Sequence, residues 1–156
     1  MTAMLIVAHA PLASALKAVA MHTFPDCARR LEAMDVPADM SPEDMARQMR
    51  GMLLSLNDPE VLVLTDVFGA TPCNVAQQLA LSDDLGSIKV VTGVNVPMLW
   101  RSLCYADDAL DALVARAVAG ANQGIMQVAV SKPQNQSNKN SQNKNAHDQN
   151  PDHHQQ

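Results

Sequence analysis

Two hydrophobic periodicities alternate along this chain, and their order constrains its fold more than any other feature. The runs AMLIVA (3–8), VLVLT (61–65) and IKVVTG (88–93) have the length and unbroken hydrophobicity of strands buried on both faces. ARRLEAMDV (28–36) supplies a fourth strand. Between them, PLASALKAVAMH (11–22), PEDMARQMRGMLLSL (42–56) and PCNVAQQLAL (72–81) place apolar residues at helical spacing, and a further helix over about 108–119 ends at Gly120. Such alternation means βαβ units. The expected fold class is therefore α/β, an open, mainly parallel four-stranded sheet with helices on both faces. IMQVAV (125–130) follows the last helix as a short C-terminal strand, an edge of the sheet or a pairing element for a second subunit.

The chain has 156 residues, 47% of them hydrophobic, enough for one domain with a proper core. That domain spans 1–130. After Val130 the composition changes to an Asn/Gln-rich tail (131–156), which lacks the apolar surface to offset its chain entropy and is expected to be disordered. His147, His153 and His154 lie in this tail and read as solvated residues.

A net charge of −5, with no Lys/Arg cluster ahead of the tail, argues against nucleic acid and anionic membrane as partners. The apolar N-terminus has no preceding Lys or Arg and is interrupted by His9, so it reads as strand and helix and not as a secretion signal. No run approaches the roughly 20 apolar residues of a membrane span. Three cysteines, Cys27, Cys73 and Cys104, show no C-x-x-C spacing, so neither a disulfide framework nor a metal site is indicated and a reducing cytoplasm fits. The ten methionines include Met40, Met45, Met49 and Met52 at helical spacing, which points to core packing.

In an open α/β sheet, function sits on the loops at the carboxyl ends of the strands. Three such loops are expected, Ala8 to Pro11, Asp66 to Pro72 and Gly93 to Pro97. His9 ends the first strand just before a helix start marked by Pro11, where free N–H groups and the helix dipole favour an anion. Asp66 holds the matching place after the strand 61–65; if those strands are neighbours, its carboxylate reaches His9, fixes the tautomer and leaves the other ring nitrogen as a nucleophile. Gly69 can adopt unusual backbone angles, and Thr71 brings a hydroxyl and an N–H to a second helix start, so two helix ends are expected to face one anion. Asn95 either lines the pocket or caps the helix near Pro97. There is no G-x-S-x-G elbow, Walker loop or G-x-G-x-x-G, so neither a serine hydrolase nor a nucleotide site is supported.

The phrases VLTDVFGATPCNVA (63–76) and VVTGVNVPMLWRSL (90–103), with a first strand that ends in His9, resemble the IIA component of the mannose-type (mannose/fructose/sorbose) sugar phosphotransferase system. The resemblance covers about residues 1–130. It implies a phosphocarrier in which His9 accepts a phosphoryl group from the phosphocarrier protein HPr and hands it to a IIB component, Asp66 orients the imidazole, and Thr71 matches the Ser/Thr of a G-x-[ST]-P segment. It also implies a homodimer that exchanges a C-terminal strand, here IMQVAV. Gly69, Thr71 and Asn95 would then bind phosphate, and no metal or organic cofactor is required. An apolar docking surface would include Phe68, Met98 and Trp100.

Ala8 and Ala10 flank His9 where family members often have glycine, and a tail follows residue 130 in place of a IIB domain. A stand-alone regulatory phosphoprotein of an incomplete phosphotransferase system is one alternative. A phosphotransfer subunit of a dihydroxyacetone kinase, which shares the fold and a strand-end histidine, is another.

Overall fold

The structure, a computed structural model, describes residues 1–130; the tail, with His147, His153 and His154, lies outside the described residues. Four strands, β1 (Ala3–His9), β2 (Leu31–Val36), β3 (Glu60–Thr65) and β4 (Ser87–Thr92), form one sheet in the order β2-β1-β3-β4. Every neighbouring pair is parallel, so all four carboxyl ends lie on one edge. The helices are α1 (Leu12–Thr23), α2 (Pro42–Leu56), α3 (Thr71–Leu79), α4 (Val96–Cys104) and α5 (Leu110–Gln123).

The alternation of side chains along β1 divides the core in two. Met4, Ile6 and Ala8 pack on one face with Ala13 and Leu16 of α1, Leu99 and Leu103 of α4, and Leu113 of α5. Ala3, Leu5 and Val7 pack on the other with Met45 and Met49 of α2 and Val75, Ala76 and Leu79 of α3. Burying each leucine, isoleucine, valine or methionine among them is worth about 1.5–3 kcal/mol, which explains why the central strands show no polar alternation. Met45 and Met49 are core residues, as their spacing implies.

Four local features differ from expectation. The segment 28–36 begins with a single 3₁₀ turn, Cys27–Arg30, and only Leu31–Val36 is strand. α5 continues through Gly120 to Gln123, because Gly120 is a contact point and not a stop: a Cβ there would stand 2.6 Å from Arg101 Cβ and 3.1 Å from the Pro97 carbonyl. α1 begins at Leu12, one residue after Pro11, and α3 runs over Thr71–Leu79, starting one residue before Pro72 and ending two before residue 81. Residues 125–130 form no strand in the single chain: the Ile125 N–H turns back to the Asn122 carbonyl at 3.3 Å, no strand of the sheet pairs with the segment, and Ile125, Met126, Val128 and Val130 are all exposed. Met1–Met126 form one compact unit, and Gln127–Val130, the described part of the remainder, carry no helix or strand.

Candidate active site

The chain runs from β1 outward to β2 and then returns to the opposite side of β1 to make β3. Connections therefore diverge between β1 and β3, and it is at the carboxyl ends of two such strands that open α/β sheets bind their ligands. His9 and Asp66 sit there. The Asp66 Oδ2 accepts the backbone N–H of His9 at 2.9 Å and lies 2.7 Å from its ring Nδ1. The other oxygen, Oδ1, accepts the Val67 N–H at 2.8 Å.

The Asp66 side chain is only 9% exposed whereas that of His9 is 55% exposed. Burial alone would raise the Asp66 pKa. The N–H and ring of His9, the Val67 N–H and the His9 charge outweigh burial and hold the carboxyl below its ordinary value of 3.8. Asp66 is thus ionised at neutral pH and can only accept hydrogen bonds, so the proton of a neutral His9 resides on Nδ1. Nε2 then carries the lone pair, on an imidazole open to solvent.

Two loops build the surroundings. In the first, Ala70 N–H donates to the Val67 carbonyl at 3.3 Å, Gly69 adopts φ +80°, and Asn74 Nδ2 donates to the Gly69 carbonyl at 3.0 Å. This tight turn delivers Thr71, exposed, as the first residue of α3. In the second, Gly93, at φ +81°, donates its N–H to the Asp66 carbonyl at 3.1 Å, and Val94 donates to the Thr65 carbonyl at 3.0 Å. Asn95 follows as the cap of α4, its Oδ1 accepting the Met98 N–H at 2.8 Å. Of the two roles open to Asn95, the structure shows capping.

The helix starts differ in charge. α3 has no side-chain cap and no acid in its first turn, so the N–H groups of Thr71 and Cys73 are without intrahelical partners. The start of α1 is already occupied, because Asp35 at the end of β2 accepts the Ser14 N–H on Oδ1 at 3.0 Å. The Ser14 hydroxyl, opposed by slight burial and helped by the N–H groups of Ser14 and Ala13, holds Asp35 below its ordinary 3.8. The start of α1 thus faces a carboxylate, whereas no acid stands in the first turn of α3. Asp35 was missed in the sequence; the available signal was an acid at the carboxyl end of a strand that neighbours the histidine strand.

Phe68 is 76% exposed beside this loop. Met98 is buried in the core, and Trp100 packs edge-on against Phe24, 6.0 Å between ring centroids, beyond the far end of α1 from His9. Neither joins Phe68 at the site, because α4 turns its Met98, Leu99 and Leu103 face to the sheet. Among the described residues no cluster of metal-ligating side chains occurs, and no helix is long and apolar enough to cross a membrane.

Residues 3–118 match the family model described as the PTS system fructose IIA component of the mannose type. The chain belongs to this family. The mannose-specific EIIAB component of Escherichia coli K12 is 33% identical over 93 residues, which cover 58% of this chain and 28% of that protein. The chain thus matches less than a third of the length of this curated relative. The phosphotransferase system component EIIA from Streptococcus agalactiae superposes with a TM-score of 0.75 at 26% identity, covering 81% of this chain and 97% of that one. The mannose/sorbose-specific IIA subunit from Enterococcus faecalis has the same fold, with a TM-score of 0.75 at 20% identity, covering 84% and 97%. The mannose-type IIA fold therefore accounts for the sheet order and for the helices on both faces.

Proposed function

We propose that this mannose-type IIA domain is a phosphocarrier that works through a phosphohistidine at His9, accepting the phosphoryl group from phospho-HPr and passing it to a IIB component in sugar uptake. The observation that carries this proposal is the double hydrogen bond from His9 to one oxygen of an ionised, buried Asp66. A neutral imidazole so held presents Nε2 as nucleophile. Its lone pair forms the new P–N bond while the P–N bond to the donor histidine breaks, and the donor ring leaves with that electron pair. The proton on Nδ1 stays where Asp66 holds it, so no proton needs to cross the interface.

The transferring group is metaphosphate-like, and its charge spreads over three oxygens. What the protein must supply is positioning and positive electrostatic potential. The uncapped start of α3 meets this need with the Thr71 and Cys73 N–H groups and the Thr71 hydroxyl; Gly69 shapes the turn, and Asn95 offers Nδ2 from the facing loop. No cofactor enters this scheme. Phe68, exposed beside the loop, offers an apolar contact to a transient protein donor.

A homodimer belongs to the same proposal. Exposed Ile125, Met126, Val128 and Val130 would gain burial by adding the C-terminal segment to a partner subunit. A reducing, cytoplasmic setting suits the three unpaired cysteines.

The test is transfer of labelled phosphate from phosphoenolpyruvate through enzyme I and HPr to the wild type and to His9→Ala. An acid-labile, base-stable label on the wild type alone is expected; equal labelling of the variant contradicts the assignment. Chasing the labelled protein with a IIB component separates onward transfer from a regulatory phosphoprotein that retains its label.

A further inference from the structure

We infer that Asp35 is a positioning residue for phosphoryl transfer, anchoring the His9–Pro11 loop and the start of α1 to the end of β2 so that the His9 ring stands where Asp66 can hold it. This inference rests on the phosphocarrier assignment of His9.

The sequence supplies α1 with no cap of its own, since Pro11 offers no side-chain acceptor and the first turn contains no acid. The cap arrives from 21 residues away. Asp35 is the Cα partner of Ala8 across the β1–β2 ladder, and its Oδ1 accepts the Ser14 N–H at 3.0 Å. The next residue, Val36, is the partner of His9, and its carbonyl accepts the Ala10 N–H at 3.0 Å. The N–H of His9 itself goes to Asp66 at 2.9 Å. Between His9 and Ser14, three N–H groups are thus held by residues of other elements, while Pro11 has none to give.

The Pro11 carbonyl accepts the Ala15 N–H at 3.1 Å, which closes the first turn of α1 onto the loop. Asp35 and Val36 therefore grip the chain on both sides of the reactive residue. Their grip leaves the loop little freedom to turn the imidazole away from Asp66. A second consequence is electrostatic: an ionised carboxylate at the start of α1 repels an anion there and leaves α3 as its receiving end. The pairing pattern along β1 agrees, because Ala8 and α1 pack on one face of the sheet whereas Val7 and α3 pack on the other.

The test compares Asp35→Ala and Asp35→Asn, the latter retaining an acceptor for the Ser14 N–H, in two measurements well below the unfolding temperature. One is the kinetics of phosphorylation by phospho-HPr; the other is the 15N spectrum of the His9 imidazole in the unphosphorylated protein. Asp35→Ala is expected to lower kcat at least about tenfold with little change in KM for phospho-HPr, and to move the His9 signals away from a single Nδ1-protonated tautomer. Asp35→Asn is expected to recover most of both. Should Asp35→Ala not fold, Asp35→Val, branched as a strand end favours, takes its place with the same expectation. A lowered melting temperature with wild-type kcat and an unchanged imidazole spectrum would reduce Asp35 to a structural cap and overturn the inference. A wild type that takes no label refutes the phosphocarrier assignment instead, and the imidazole spectrum then decides the positioning role alone: a changed tautomer supports it, an unchanged one refutes it.

Discussion

A single oxygen of Asp66, Oδ2, holds His9 twice, taking its backbone N–H at 2.9 Å and meeting its ring Nδ1 at 2.7 Å. One buried atom therefore sets both the position of the main chain at the end of β1 and the orientation of the side chain. An imidazole with a second free rotation about its own backbone would lose this coupling.

The first prediction concerns that oxygen. Asp66→Asn replaces an obligatory acceptor with an amide whose NH2 group can turn toward the ring, favouring a proton on Nε2 and hiding the lone pair. Phosphorylation of His9 should fall by about 10- to 100-fold, as when the outer partner of a functional histidine is removed, while the circular-dichroism spectrum stays that of the wild type. An unchanged rate would deny Asp66 its orienting role.

The pH dependence of stability follows from the two depressed carboxyls. Asp66 and Asp35 each bind a proton more weakly in the folded chain than at the ordinary 3.8, so their contribution is complete above that value and is lost as pH falls through the lower folded pKa. Denaturant titrations should show wild type and Asp66→Asn differing in unfolding free energy at pH 7 and converging as the pH drops below about 4. A gap that stays constant down to the lowest pH at which both fold would contradict the assignment.

Two glycines make opposite demands and give opposite outcomes. A Cβ at Gly69 meets nothing within 4 Å, yet φ +80° strains any L residue, so Gly69→Ala should cost about 1–2 kcal/mol and slow phosphorylation by shifting the start of α3. At Gly120 the space is already taken by Arg101 Cβ and the Pro97 carbonyl, so Gly120→Ala should cost about 1–3 kcal/mol through overpacking and leave the phosphorylation rate of the folded fraction unchanged. Thermal melts combined with rate measurements separate the two.

Thr65 and Thr92 are cross-strand partners at the ends of β3 and β4, and both bury their hydroxyl oxygens without a hydrogen-bond partner among the described residues. An unpartnered buried hydroxyl is destabilising. Thr65→Val should therefore raise the unfolding free energy, by about 1 kcal/mol, as measured by urea denaturation. A loss of that size would mean that water or a ligand occupies the hydroxyl in solution.

Asn95 separates two roles within one side chain. Asn95→Ala should lose about 1 kcal/mol of cap stability, and Asn95→Asp should restore it, since aspartate accepts the Met98 N–H equally well. The same Asn95→Asp should slow phosphorylation, because it replaces an amide donor with a negative charge at the rim. Retained speed would leave Asn95 as a cap alone.

What was legible in the sequence was whatever depends on local order. His9 and Asp66 each end an apolar run, so their common edge follows from the alternation of strand and helix, and β1–β3 pairing brings them together. Asp35 was not legible, because its value depends on which residue of β1 lies opposite it and on a helix cap supplied from another strand. Gly120 carried the signature of a helix stop; only the closeness of α4 to α5 gives it another meaning. Residues 125–130 have a strand composition, but strand formation also needs a neighbouring backbone, which a single chain does not supply. Met98 and Trp100 were misplaced for a related reason: which face α4 turns to the sheet is decided by packing and not by spacing within the helix.

The most direct measurement is a 31P and 15N NMR analysis of the protein after phosphorylation by phospho-HPr. A phosphorus atom coupled to Nε2 of His9, with Nδ1 still protonated against Asp66, is the predicted result. Phosphate on Nδ1, on another residue, or nowhere would contradict the account at its centre.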